Sequence, residues 1–297
     1  MNKTNSDIIF WTTLRGAIIN VFLMILKYVA GFIGHSVAMI ADATHSLSDI
    51  ITDLIVLIFS KLNLRKEDDR HDYGRGRIET LVTIILGFVI FAIGIVVCYH
   101  GIMPTIRYIQ GETPARPGYI ALVAAIISIV IKEWAFRSAL RTARKTGSVA
   151  VESNAWHHRA DSFSSFVTAV CIACAIFLNE KWTVIDPVAA IIVGLFIMRE
   201  AVHIIVDAAN VLIDKSLPDN IEQMIAKISM DEEGVTSVKN ILTRQLGRDI
   251  AIEIFVTMPG DVTVRKAHQR AMEIEKRLHE KFGEDAYINI HIDPSED

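Results

Sequence analysis

His45 and Asp49 stand four residues apart in the segment "ADATHSLSDIITDL" (41–54), and His157 and Asp161 repeat the same His-x-x-x-Asp spacing in "NAWHHRADSFSS" (154–165). On an α-helix, residues i and i+4 lie on one face in adjacent turns, so each segment offers one imidazole and one carboxylate in a single direction. Two such helices packed together converge four ligands. Two neutral imidazoles and two carboxylates suit tetrahedral Zn²⁺ or a similar borderline divalent ion, and do not make the oxygen cage that Ca²⁺ or Mg²⁺ prefers. At about 100° per residue, Asp42 and Asp53 fall with His45 and Asp49 inside about 80° of arc. One stripe of that helix is therefore polar, while Ile50, Ile51, Leu54 and Ile55 cover much of the rest. His158 points about 100° away from His157 and reads as a structural residue rather than a ligand. Bound metal needs deprotonated ligands, so loading expels protons from His45 and His157, and reprotonation favours release. An imidazole with an ordinary pKa of about 6.5 makes that exchange at physiological pH.

The elements that carry these residues are apolar. Of 297 residues 52% are hydrophobic, and the mean hydropathy is +0.38, which points to a membrane protein with a soluble part. A bilayer core needs about 20 residues of helix, and candidate spans run near 10–34, 36–60, 79–101, 118–138, 155–178 and 184–206. The first has no small-residue cleavage site and is too long for a signal-peptide core, so it is expected to stay as a helix in the membrane. An ionised side chain left in hydrocarbon costs at least ~2.5–3.5 kcal/mol, so the four polar groups of the second span must face inward. A hydrogen-bond network without an ion is the competing reading of these groups, but bundle-facing ionisable residues usually mark a pathway.

The basic stretches 61–77 and 137–145 read as loops on the cytoplasmic side, whereas 34–36 and 179–182 are short and nearly free of Lys and Arg. Six spans then leave both termini in the cytoplasm. The chain divides at 214/215: residues 1–214 form the membrane domain, and 215–297, with 11 Lys and Arg against 16 Asp and Glu and no spanning run, form a soluble cytosolic domain. Helical periodicity at 219–228 and 264–282, and strand alternation at 235–245, 249–258 and 287–293, give an α+β order of α-β-β-α-β. The net charge of -4 offers no basic surface for nucleic acid. Cys98, Cys171 and Cys174 lie in apolar runs and read as small buried thiols.

In motifs and in their order, "GHSVAMIADATHSLSDI", "DYGRGRIETL", "WHHRADSFSS", "VLIDKSLPD" and "INIHIDP" resemble the cation diffusion facilitators, the zinc-transporting six-span proteins with a cytosolic metallochaperone-like domain, here of the bacterial ferrous-iron and zinc efflux type. The resemblance covers nearly the whole chain. It implies a homodimeric metal/proton antiporter of the inner (cytoplasmic) membrane, exporting metal through a transport site at His45, Asp49, His157 and Asp161, and a His-plus-Asp set on both helices resembles the zinc-preferring variant. It also implies a weak loop site at Asp68 and His71, where Arg75 stands at a position that an arginine cannot ligate from. In the cytosolic domain it implies a reduced regulatory zinc site at His268, His291 and Asp293, with Lys239 and Phe255 at other ligand positions. Arg77 and Asp214 align with a charge pair at the dimer hinge.

Other readings stay open. The transported ion could be Cd²⁺, Co²⁺, Fe²⁺ or Mn²⁺, or the ligands could serve a membrane metal sensor that transports nothing. An enzyme is not expected: an intramembrane metallohydrolase should offer a water-activating base such as the Glu of an H-E-x-x-H helix, and no such helix occurs.

Overall fold

The computed structural model describes residues 3–61, 70–71, 74–146, 149–246 and 249–295. Two compact units divide the chain, one from residues 1–60 and 86–203, the other from 61–85 and 204–297. Six long helices fall in the first two-thirds of the chain: α1 (Lys3–Ile33), α2 (Val37–Lys61), α3 (Arg77–Ile109), α4 (Tyr119–Thr146), α5 (Val149–Phe177) and α6 (Ile185–Leu212). Among the described residues, stretches of five of them, α1 and α3 to α6, are long and apolar enough to cross a membrane. Exposed Phe88, Val89, Ile95 and Val96 of α3 and Val130 and Trp134 of α4 make an outer surface that suits lipid rather than water.

The expected spans and the observed helices agree in place but not always in extent. The basic stretch 137–145, expected as a loop, is the last two turns of α4. Its apolar residues explain this: Ala139 and Ala143, with Phe136, pack on Val151 and Ala155 of α5, while Arg137, Arg141 and Arg144 lie on the exposed side. Likewise α3 runs on through Pro104 to Ile109.

The corner between α1 and α2 is what sets the direction of α2. His35 takes a left-handed φ of 49°, and the Ser36 N–H donates back to Gly31 O at 3.0 Å, closing α1. Ser36 then caps α2, its Oγ accepting from the Met39 N–H at 3.1 Å. Asp186, at the start of α6, reaches across to this cap: it accepts from Ser36 Oγ at 2.6 Å and from the Val37 N–H at 2.7 Å. A buried carboxylate at a helix N-terminus satisfies donors that the helix leaves open and favours the dipole. The corner also touches α4, since the Gly118 N–H donates to Gly34 O at 2.7 Å. An added Cβ on Gly34 would stand 3.0 Å from Ala121 Cβ.

Small residues let α3 and α6 approach closely. A Cβ on Gly94 would meet Met198 Cγ at 2.6 Å, one on Gly101 would meet Pro187 O at 2.6 Å, and one on Gly194 would meet Cys98 Sγ at 2.6 Å. Positions 94, 98 and 101 form one face of α3, a seam of the small-residue kind used between membrane helices.

In the second unit, α7 (Asp219–Met230), β1 (Ser237–Leu246), β2 (Asp249–Met258), α8 (Val264–Phe282) and β3 (Tyr287–Pro294) follow the expected α-β-β-α-β order. β2 is central, antiparallel to β1 and parallel to β3. Ile225 of α7 and Ile274 and Leu278 of α8 cover Ile252, Ile254, Val256 and Met258 of β2 in one core. The buried Glu232 joins Arg270 and Arg277 of α8, each at 3.0 Å, and with Glu233 it keeps the Arg270 pKa above its usual value.

Gly194→Leu should overpack the α3–α6 seam and cost about 1–3 kcal/mol, read as a lower midpoint of thermal unfolding in detergent. Gly260→Ala, whose Cβ would meet only Pro294 Cβ at 3.9 Å, should leave that midpoint nearly unchanged.

Candidate metal centre

The first unit brings α2 and α5 together at the two His-x-x-x-Asp segments. His45, Asp49 and Asp161 each present a donor atom, and all three atoms lie within 4.8 Å of one another. Among the described residues this is the only group of three such side chains close enough to share an ion. Asp161 is buried and the other two are half-buried. His157 lies one turn before Asp161 on α5; its side chain, like that of Asp53, falls outside the described residues. His158 is buried against α1, where a Cβ on Gly16 would come within 3.2 Å of its Nε2.

Asp42 is not part of this group. It is 1% exposed, and its Oδ2 lies 2.7 Å from Nζ of Lys27, which is fully buried on α1. Lys27 Nζ also donates to Ser46 Oγ at 3.2 Å and to Ser165 Oγ at 3.0 Å, and Ser165 Oγ donates to Asp42 Oδ2 at 3.1 Å. The charged pair is thereby closed by hydroxyls from α2 and α5, the condition under which a buried ion pair is tolerable. A second lysine, Lys132 of α4, places its Nζ 3.4 Å from Asp161 Oδ2, with both side chains almost entirely buried.

Neither lysine was singled out in the sequence, although a signal was present. Lys27 falls in step with buried Asn20, Leu23 and Ala30 of α1, and Lys132 with buried Ala121, Ala125, Ser128, Ala135 and Ala139 of α4. A lysine centred in an apolar span and in register with its buried stripe cannot reach the lipid interface and must find an internal anion.

The other sequence-derived sites lie in the second unit. Asp68 is outside the described residues. His71 is exposed, and its Nδ1 accepts from Arg75 Nε at 3.3 Å. His291 Nε2 and Asp293 Oδ1 are 3.1 Å apart on β3, but His268 joins no three-ligand group with them. Lys239, at a register shift in β1, holds Nζ 3.6 Å from Asp293 Oδ2, and Phe255, opposite His291 in the sheet, lies 5.3 Å from it between ring centroids. An ammonium and an aromatic ring thus border His291 and Asp293 where further ligands would be required. Arg77 Nη2 meets Asp214 Oδ1 at 2.5 Å. Arg244 of β1, which the sequence did not suggest, approaches the other carboxylate oxygen at 3.6 Å.

Comparison with known proteins agrees with this build. Residues 13–213 match the cation efflux transmembrane domain, and residues 217–295 match the cytoplasmic domain of cation efflux proteins. MJ0449 of Methanocaldococcus jannaschii, an uncharacterized transporter, is 30% identical over 92% of this chain and 94% of its own length. The manganese efflux system protein MneP of Bacillus subtilis is 28% identical, with 93% of each chain covered. The magnetosome protein MamB of a Magnetospira strain is 27% identical over 98% of this chain and 96% of its own. Among solved structures, CzrB (24% identity, TM-score 0.26) covers 27% of this chain and 99% of its own. A nickel form of the MamM C-terminal domain (18% identity, TM-score 0.25) covers 27% of this chain and 100% of its own.

The molecule is thus a multi-pass membrane protein with an α+β domain of the kind through which such transporters dimerise. The chain belongs to the cation efflux family, the cation diffusion facilitators, which transport divalent metal cations and are not enzymes.

Lys27→Met should leave Asp42 buried without its ammonium and lower stability by about 3–5 kcal/mol. The double variant Lys27→Met/Asp42→Leu should recover a large part of that loss, checked by unfolding of the detergent-solubilised protein.

Proposed function

We propose that this chain exports Zn²⁺ from the cytoplasm across the cytoplasmic membrane in exchange for protons, through a four-ligand site of His45, Asp49, His157 and Asp161. The observation that carries the reading is the convergence of His45, Asp49 and Asp161 from two helices inside the helical unit. His157 completes the set from the same turn pair of α5 that supplies Asp161. Two imidazoles and two carboxylates favour tetrahedral zinc.

The protein works in this reading as a homodimer. Residues 1–214 form the transport domain, with α1 to α6 as six crossings and both termini in the cytoplasm, and residues 215–297 form the cytosolic domain that joins the protomers. The Arg77–Asp214 contact, with Arg244 beside it, ties the start of α3 to the end of α6 at the cytosolic side. Each cycle exchanges metal for protons because the ligands cannot hold both, and rocking of the helices opens the fixed site to one side and then the other. A regulatory ion at His268, His291 and Asp293 would have to displace the Lys239 ammonium, so metal control of the cytosolic domain is weak here.

Manganese is the second reading, favoured by the likeness to MneP. Counterflow in proteoliposomes with an imposed pH gradient separates the two. Zn²⁺ uptake that rises with the gradient, and that excess Mn²⁺ does not suppress, supports zinc/proton antiport; preferential Mn²⁺ transport replaces zinc as the substrate, and flux indifferent to the gradient removes the proton step.

Asp49→Ala should reduce flux to background while the protein remains folded and dimeric, because the change removes a ligand and a buried charge together. His45→Asp, by giving three carboxylates, should raise the share of Cd²⁺ or Mn²⁺ over Zn²⁺ in competition flux. An unchanged metal ranking would remove His45 from the ligand set.

A further inference from the structure

Two buried carboxylates of the helical unit each stand beside a buried ammonium group, Asp42 beside Lys27 and Asp161 beside Lys132. Lys27 is committed: it is paired at 2.7 Å to Asp42 and held by two serine hydroxyls. Lys132 is placed differently, since its partner Asp161 is itself a member of the ligand group.

From this we infer that Lys132 is a tethered counter-cation of the transport site: its ammonium balances Asp161 while the site holds no ion, and gives up that carboxylate when a divalent cation arrives. The inference rests on the assignment of His45, Asp49, His157 and Asp161 as the transport site.

The physical argument compares two states. With no ion bound, the Asp49 and Asp161 carboxylates come within 4.8 Å of one another, and like charges at that range cost free energy. An ammonium 3.4 Å from Asp161 relieves this cost. With an ion bound, a zinc–carboxylate distance of about 2.0–2.2 Å puts two positive centres on one carboxylate, and the same lysine now raises the energy of the loaded site. Both effects act in one direction. Lys132 weakens binding and speeds release, as a carrier needs if its cargo is to leave. The side chain suits this task because its charge sits on a flexible four-carbon stem and can swing away, where a rigid bidentate fork would hold on.

A lysine serving only to clamp α4 to α5 would behave otherwise. Its removal would lower thermal stability and either leave zinc affinity alone or weaken it by misplacing Asp161.

The test uses the full-length protein. Zn²⁺ binding is measured by calorimetry in detergent, and initial Zn²⁺ flux against concentration in proteoliposomes, for the parent, Lys132→Met, Lys132→Arg and Asp49→Ala. Lys132→Met should bind Zn²⁺ roughly ten- to hundredfold more tightly, as expected for removal of one unit of like charge at close range, with a lower KM and a lower maximal rate. Lys132→Arg, which keeps the charge and holds the carboxylate through its fork, should bind Zn²⁺ no more tightly than the parent. If Lys132→Met does not yield a monodisperse protein, Lys132→Gln is measured in its place. Unchanged or weaker Zn²⁺ binding in the variant without the charge overturns the inference, provided Asp49→Ala has lost binding. If Asp49→Ala binds and transports as the parent does, the site assignment itself is wrong and the role of Lys132 falls with it.

Discussion

Compensation of buried charge is the constraint on which the helical unit depends. An ion left alone in hydrocarbon costs several kcal/mol, yet a metal site needs carboxylates in the interior. The chain meets both demands by burying cations alongside the anions. Lys27 with Asp42 is a closed pair, completed by Ser46 and Ser165; Lys132 with Asp161 is a pair in which one partner also belongs to the ligand group. The first pair links α1 to α2, with hydroxyls from α2 and α5, and the second links α4 to α5. The four helices around the candidate site are therefore linked by buried charge pairs.

That arrangement asks for helices fixed in height as well as in direction. The Ser36 cap and the reach of Asp186 to it pin the start of α2, so that the polar stripe two turns further on meets α5 at the level of Asp161. Glycine and cysteine on the facing sides of α3 and α6 permit close packing without large side chains to slide over one another. Close, small-residue seams of this kind suit helices that must move as bodies.

The second unit follows water-soluble rules. Its core is one layer of isoleucine, valine, methionine and leucine between β2 and the two helices, and the buried Glu232 is met by two arginines of α8. On β3 the alternation that turns Ile288, Ile290 and Ile292 toward the core turns His291 and Asp293 outward. There Lys239 and Phe255 are their neighbours, a setting closer to a salt-bridged sheet face than to a cation cradle.

How much of this was legible depends on the range over which each interaction acts. Local periodicity marked the helices, the three strands and the shared face of His45 and Asp49, because spacing along one helix determines which side chains share a face. It failed at 137–145, where clustered basic residues read as a loop although the alanines between them keep the helix packed on α5. It also left Asp42 without a role and passed over Lys27 and Lys132, since which cation stands beside which carboxylate depends on residues of different helices, 15 and 29 positions apart, meeting at one height. The sequence by itself thus determined which imidazoles and carboxylates are candidate donors, through their spacing on α2 and α5. Only the tertiary structure decided that two buried ammonium groups stand among those donors, because long-range packing, and not helical spacing, selects the partner of a buried charge.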